Sequence, residues 1–322
     1  MTTEEHEEIA RVIPPAAPAL APLAPYITTL KLNGAGEVID SAAINQLHQL
    51  RTLFLRRVKL VSLDNASIKN LFVHYSEVHI SGKLELDRLE VVDSKISPHI
   101  PTAEELVCAD MGSIGHVSAR NILLDRCSGD ISSNRAVKLE LVSSCMTSIS
   151  MPSLREFAQA HIDPPPARYS AMDGLPANLE TIRSPFTAAA PYLARFINTT
   201  TLELTADTVV INIPRLPRLR RLVLRRRDPG ISLAVFEDPQ PPIVELELVS
   251  ISVHILDAPM LILLKMTQST ILHYVDRGRT KIILDSSLIK NHILRPDRVN
   301  THENTQIGRG YPQAARQDAK VH

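Results

Sequence analysis

The chain has 322 residues, 44% of them hydrophobic but only 4% aromatic and none of them Trp, and 35 basic residues balance 35 acidic ones. Charge balance excludes a global field drawing the protein to nucleic acid or to an anionic membrane. A core without aromatic clusters must be layered Leu, Ile and Val, and with no run of about 18 uncharged apolar residues a transmembrane helix is excluded.

The first eight residues, from Met1 to Glu8, are acidic and polar, the opposite of a secretory or mitochondrial leader. Cytosol or nucleus is therefore the expected compartment. Residues 1–13 have the makings of one short acidic helix capped by Thr2 or Thr3. Pro14, Pro15, Pro18, Pro22 and Pro25 then interrupt an Ala-rich stretch. That density of proline favours an extended arm, so residues 1–26 are read as an acidic, Pro-rich N-terminal arm.

From about residue 27 a short pattern keeps returning: apolar–x–apolar–x–x–small–x–apolar. One copy runs Leu89-Glu90-Val91-Val92-Asp93-Ser94-Lys95-Ile96, another Leu139-Glu140-Leu141-Val142-Ser143-Ser144-Cys145-Met146, and a third starts at Leu202-Glu203-Leu204. The leading residues Leu53, Leu71, Leu89, Leu106, Ile122 and Leu139 are 18, 18, 17, 16 and 17 apart. Later, Leu202, Leu222, Leu246, Leu264 and Ile282 step by 20, 24, 18 and 18. A fixed period of this kind is the mark of a solenoid, in which each repeat buries its apolar face only against its neighbours. Strand and turn use about eight residues, leaving too few for an ordinary helix and two loops. The fold class expected is a β-rich solenoid of parallel strands in repeats of about 16–24 residues, with little helix and an extended or 3₁₀ return path.

Residues 27–294 form this solenoid, irregular at about 151–198, where Pro164-Pro165-Pro166, Tyr169, Pro185 and Pro191 break the rhythm. Two or three degenerate repeats with a protruding loop are expected there, a hinge between two arrays being the alternative. Residues 295–322 are polar and aperiodic and read as a tail without its own core.

Fuller copies of the motif occur at Leu47-His48-Gln49-Leu50-Arg51-Thr52-Leu53-Phe54-Leu55 and at Leu216-Pro217-Arg218-Leu219-Arg220-Arg221-Leu222-Val223-Leu224. Leu175-Pro176-Ala177-Asn178-Leu179-Glu180-Thr181-Ile182 is a third variant. Over roughly residues 27–290 the chain resembles the leucine-rich repeat family, which implies that Leu-x-Leu is a short parallel strand on the concave face. The family's turn asparagine is replaced by Ser76, Ser94, Cys127, Ser144, Asp207 or Ser269, and elsewhere by Val58 or Ala35. The repeats are also shorter than the usual 20 to 29 residues or so. An Asn ladder is therefore not expected, nor a highly regular horseshoe.

Chemistry is sparse. No phosphate loop, dinucleotide fingerprint, nucleophile elbow or zinc helix is present, and neither a cofactor nor a metal is expected. Cys108, Cys127 and Cys145 form no CxxC pair and read as buried core filler in a reducing compartment. His74 and His79 are the closest histidine pair near a strand, without ligand spacing. Glu90, Glu140, Glu203 and Glu247 share an outward strand slot. Glu90 and Glu140 fall three repeats apart, however, roughly 14 Å at strand spacing, too far for a catalytic pair.

What remains is a surface. The middle residue of each Leu-x-Leu points outward, and Phe54 and Phe72, in adjacent repeats, should lie side by side among Arg56, His74, Arg88 and Glu90. Exposed aromatics beside arginines have the composition of binding hot spots. The alternative is that the arm or a loop covers them as ordinary core. A second feature is the arginine run that includes Arg218, Arg221, Arg225 and Arg227. It suits an anionic partner by its forks, although Glu203, Glu245 and Glu247 on adjacent repeats can neutralise it, and nucleic acid is disfavoured. The expected function is a non-enzymatic scaffold that holds another protein on its strand face. The alternatives are a structural subunit whose arm and tail fold on neighbours in a larger complex and, third, a β-helix enzyme acting on polysaccharide.

Overall fold

Leu-x-Leu segments form strands when one residue in two has somewhere apolar to go, and stacking identical segments supplies that place at every turn. A computed structural model describes residues 25–160, 171–226, 230–238 and 240–294 of the chain. Its frame is one 14-stranded sheet running from Thr29–Asn33 to Lys281–Asp285, whose strands pair in parallel. Residues 1–24 of the arm and the whole 295–322 tail lie outside the described residues.

Leu30, Leu53, Leu71, Leu89, Leu106, Ile122 and Leu139 are partners in successive strands. The column continues through Phe157, Ile182, Leu202, Leu222, Leu246, Leu264 and Ile282. From Leu30 to Leu264 every member is buried. A second inward column two residues on carries Leu32, Leu55, Val73, Val91, Cys108, Leu124 and Leu141, all buried. Each such side chain contributes about 1.5–3 kcal/mol. These columns make the fold a parallel β-solenoid of about 13 turns, only 6% helical.

At the end of each strand the chain must turn through about a right angle. In nine turns it does so at one residue in the left-handed region: Arg57, Tyr75, Asp93, Asp110, Arg126 and Ser143 in consecutive turns, then Ser250, Gln268 and Ser286, with φ from 40° to 55°. The next residue points inward and is most often serine. Ser94 donates its hydroxyl hydrogen to Val92 O (2.6 Å) or Val73 O (3.0 Å) and accepts the amide of Ser76 one turn back (2.9 Å). Ser76 serves the Val58 amide, Ser144 that of Cys127, Ser269 that of Ile251 and Ser287 that of Ser269. Cys127 fills the same slot, its thiol reaching Asp125 O and Cys108 O at 3.3 Å each. A serine ladder thus takes the place of the missing asparagines and ties several corners to the one before. Asp207 does not join it. It is exposed and caps the preceding turn by accepting from the Thr187 amide (3.1 Å) and hydroxyl.

The opposite face is broken into three parallel sheets of four, three and five strands. They span residues 38 to 97, 115 to 150 and 210 to 294. The return path is thus extended in most turns. Between Ser150 and Val210 that face carries no strand among the described residues, but the helical turns Phe186–Ala189 and Leu193–Arg195 instead. The long sheet runs through the irregular segment without a gap: Glu156–Gln159 pairs with both Lys138–Val142 and Thr181–Pro185. The Pro164–Pro166 loop lies outside the described residues. Cys108 and Cys127 are buried as expected, and burial pushes both thiols above the ordinary range. Cys145 is exposed instead of filling the core, because it opens a strand of the other face with its side chain outward.

Candidate interaction face

The outward residues of the long sheet form one continuous row. In register it reads Lys31, Phe54, Phe72, Glu90, Val107, Leu123 and Glu140, then Ala158, Arg183, Glu203, Val223, Glu247, Lys265 and Ile283. Parallel in-register stacking puts each beside the next at roughly 4.8 Å. The rings of Phe54 and Phe72 accordingly stack, with centroids 4.2 Å apart and planes 13° from parallel. Both are half-buried. A cation stands at each end of the stack: Lys31 Nζ lies 5.3 Å from the Phe54 centroid and the Arg88 guanidinium 5.9 Å from that of Phe72. Such contacts contribute about 0.5–1 kcal/mol at exposed sites.

Beyond Phe72 the row turns polar. His74 Nε2 meets Glu90 Oε1 at 3.0 Å, and Arg88 Nη2 reaches the other oxygen at 3.1 Å, so Glu90 is clamped from both flanks. Arg88 also extends to Glu105 at 3.9 Å. Arg56 is exposed and in register with His74. Phe54, Phe72, His74, Arg88 and Glu90 are therefore one connected cluster, with Arg56 beside it on the same face. Val107 and Leu123 are half-buried and continue the strip past Glu90. His79 is on the other side of the solenoid, bonded to Ser97 at 3.2 Å, so it does not meet His74.

The arginine run disperses instead of forming one patch. Arg221 pairs with Glu245 (3.5 Å) and Arg225 with Glu247 (2.8 Å), while Glu203 takes Arg183 (3.3 Å). Val223, between Glu203 and Glu247 in the outward row, is only 2% exposed. Arg218 is exposed at a turn, and Arg227 lies outside the described residues. Glu140 has Lys138 at 4.0 Å. The four outward glutamates thus face neighbouring cations, not one another.

Sequence reasoning missed a shallow groove of about 570 Å³ along the corner between the two faces. Corner residues Arg57, Tyr75, Asp93 and Asp110 line one side, and Lys59 and Lys95 the other. Glu77 bridges the two lysines at 3.7 and 3.5 Å. Arg126 forks onto Asp110 at 2.7 and 2.8 Å, and that hydrogen bond holds the Asp110 carboxyl below its usual range. Its corner residues share no single residue type, so nothing in the sequence marked it.

Among the described residues no group of three or more His, Cys, Asp or Glu is placed to hold a metal ion, and no helix is long and apolar enough to cross a membrane. No protein-family model, no curated protein and no solved structure matches the chain.

Proposed function

We propose that the protein is a non-catalytic interaction scaffold, leucine-rich-repeat-like in its use of a strand face, which holds another protein at Phe54 and Phe72. The observation that carries this reading is the half-exposed ring stack of Phe54 and Phe72, 4.2 Å between centroids, with a cation at each end. Two rings fixed by parallel strands lose little side-chain entropy on binding, and the Glu90 clamp makes a polar rim. The long sheet holds the surface rigid, because each outward residue is anchored by two inward neighbours. The ion pairs of Arg183, Arg221 and Arg225 leave the C-terminal half of the face charged and self-neutralised, so the Phe54 end is the better anchor for a protein and nucleic acid is disfavoured.

Affinity purification with mass spectrometry, comparing the unmodified chain with Phe54→Ala/Phe72→Ala, tests it. A specific partner should bind the unmodified chain and lose at least about tenfold in affinity with the double variant, roughly 1.4 kcal/mol or more. The melting temperature should fall far less than for Leu53→Ala. A partner retained by the double variant would place the contact elsewhere, and a collapse of the fold would show the rings to be core. The subunit reading rests on the arm and tail, and the polysaccharide-enzyme reading on paired carboxylates. Against the latter stand the ion pairs of Glu90, Glu203 and Glu247 with their own neighbours.

A further inference from the structure

The two ends of the solenoid differ. At the first turn the core residues are covered: Ile27 is 7%, Leu30 1% and Leu32 5% exposed. At the last turn Leu284 is 47%, Leu288 51% and Ile293 40% exposed, although Leu284 occupies the same inward column as Leu32. Lys281–Asp285 is the outermost strand of the long sheet and Leu288–Leu294 that of the neighbouring five-stranded sheet, so both present free edges among the described residues. An open edge beside exposed apolar residues is a template for another strand.

The edge sequence says which strand fits. Lys281 donates its amide to Ile262 O (2.8 Å) and Asp285 accepts the Gln268 amide (2.9 Å), so the odd-numbered groups turn back into the sheet. By strand alternation the amides and carbonyls of Ile282 and Leu284 face outward. Lys281-Ile282-Ile283-Leu284-Asp285 is complementary to itself when reversed. Antiparallel pairing about Ile283 sets Ile282 against Leu284, both with outward-facing backbone groups, and Lys281 against Asp285. A two-fold axis normal to the sheets reverses both edges at once, so the Leu288–Leu294 edge meets its own copy as well. Thr29–Asn33 is the opposite edge of the long sheet, but its inward residues Leu30 and Leu32 are already buried, so it leaves no open apolar column for head-to-tail stacking. The 295–322 tail has no two large apolar residues at i and i+2 to fill the inward columns.

We propose that the C-terminal end is a dimerisation edge, at which Lys281–Asp285 pairs antiparallel with the same strand of a second copy. The contact is isologous and closes on itself, so it yields a dimer and no fibre. Each dimer contains two Lys281–Asp285 pairs, and Ile283 meets its own copy across the axis at about 4.5 Å between Cα atoms, as a non-hydrogen-bonded antiparallel pair does.

Sedimentation of the full chain from about 1 to 100 μM tests this, since strand-edge contacts of modest area associate in that range. The expected result is a species of twice 35.6 kDa that grows with concentration. Lys281→Asp alone puts like charges together in both pairs and should weaken it about tenfold. Lys281→Asp with Asp285→Lys should restore it to within about twofold. Ile283→Cys in a Cys145→Ser background should cross-link on mild oxidation, because that Cα separation suits a disulfide. A monomer throughout the range, a dimer indifferent to Lys281→Asp, or a single swap that the double swap does not rescue would each overturn the proposal. So would a chain that dimerises only once residues 295–322 are removed, because the tail would then be the natural cover.

Discussion

The two faces of this solenoid are built from the same repeats, yet one is a single sheet of 14 strands and the other is broken into sheets of four, three and five. The difference lies in which half of the repeat carries the constraints. On the long face most turns supply two inward aliphatic residues, and at several corners a serine bonds the turn before it. The return half has turn-to-turn side-chain bonds too, such as Asn65 Nδ2 to Ile44 O (2.7 Å) and Thr199 Oγ1 to Leu179 O (3.1 Å), but they come from differing residues at differing positions. It absorbs length changes, which is where helical turns replace strands between Ser150 and Val210. Continuity therefore follows from the stacked inward columns, reinforced where the serine ladder recurs, while the residues between those points can vary.

The strongest way to break the comparison is to empty the inward column of the long sheet. Leu139→Ala and Leu222→Ala remove fully buried side chains from interior turns. Each should cost about 2–5 kcal/mol in chemical denaturation, the range for cavities that neighbours cannot fill. A cost below about 1 kcal/mol would mean that the column is not continuous where those leucines stand.

A smaller effect isolates the ladder from the packing. Ser144 is fully buried; its hydroxyl reaches Val142 O and Leu124 O at 2.9 Å each and accepts the Cys127 amide at 3.0 Å. Ser144→Ala removes one oxygen and leaves a buried amide facing a methyl group, at a cost of about 1–3 kcal/mol. Hydrogen exchange at the Cys127 amide should accelerate with it. Unchanged stability and exchange would locate the register in the aliphatic columns alone.

Much of the long face was legible because its signal is periodic. Leu53, Leu71 and Leu89 recur at equal steps, and the same arithmetic placed Phe54 beside Phe72 before any coordinate. The corner was not legible, since Arg57, Tyr75, Asp93 and Gln268 share a positive φ without sharing any chemistry. The chain imposes that conformation by closing the turn, so residue type carries no trace of it. The serine ladder was half visible: the small slot stood out, but Asp207 fits the pattern and bonds elsewhere. Burial of Val223 was not legible, because its outward strand position predicts exposure and it is only 2% exposed. Cys145 misled for the opposite reason, a residue type that favours interiors standing at an outward strand position.

The smallest predicted effect has the opposite sign and sits where the opposite face gives out. Gln159 is the register partner of Leu141 in the inward column, only 5% exposed, and among the described residues neither its amide nitrogen nor its carbonyl oxygen has a hydrogen-bond partner. Ser184, on the adjoining strand, is 3% exposed and its hydroxyl is equally unpartnered. A buried amide without partners costs free energy that leucine, of similar size, does not. Gln159→Leu should therefore stabilise the protein by about 1–2 kcal/mol, read as a higher denaturation midpoint at unchanged slope. Adding Ser184→Ala should contribute less, since a hydroxyl has less polar surface to desolvate. A loss of stability in Gln159→Leu would mean that the amide is satisfied in solution. The long sheet would then be as sound at this turn as at its neighbours, and the missing strands opposite would have to be explained by chain length alone.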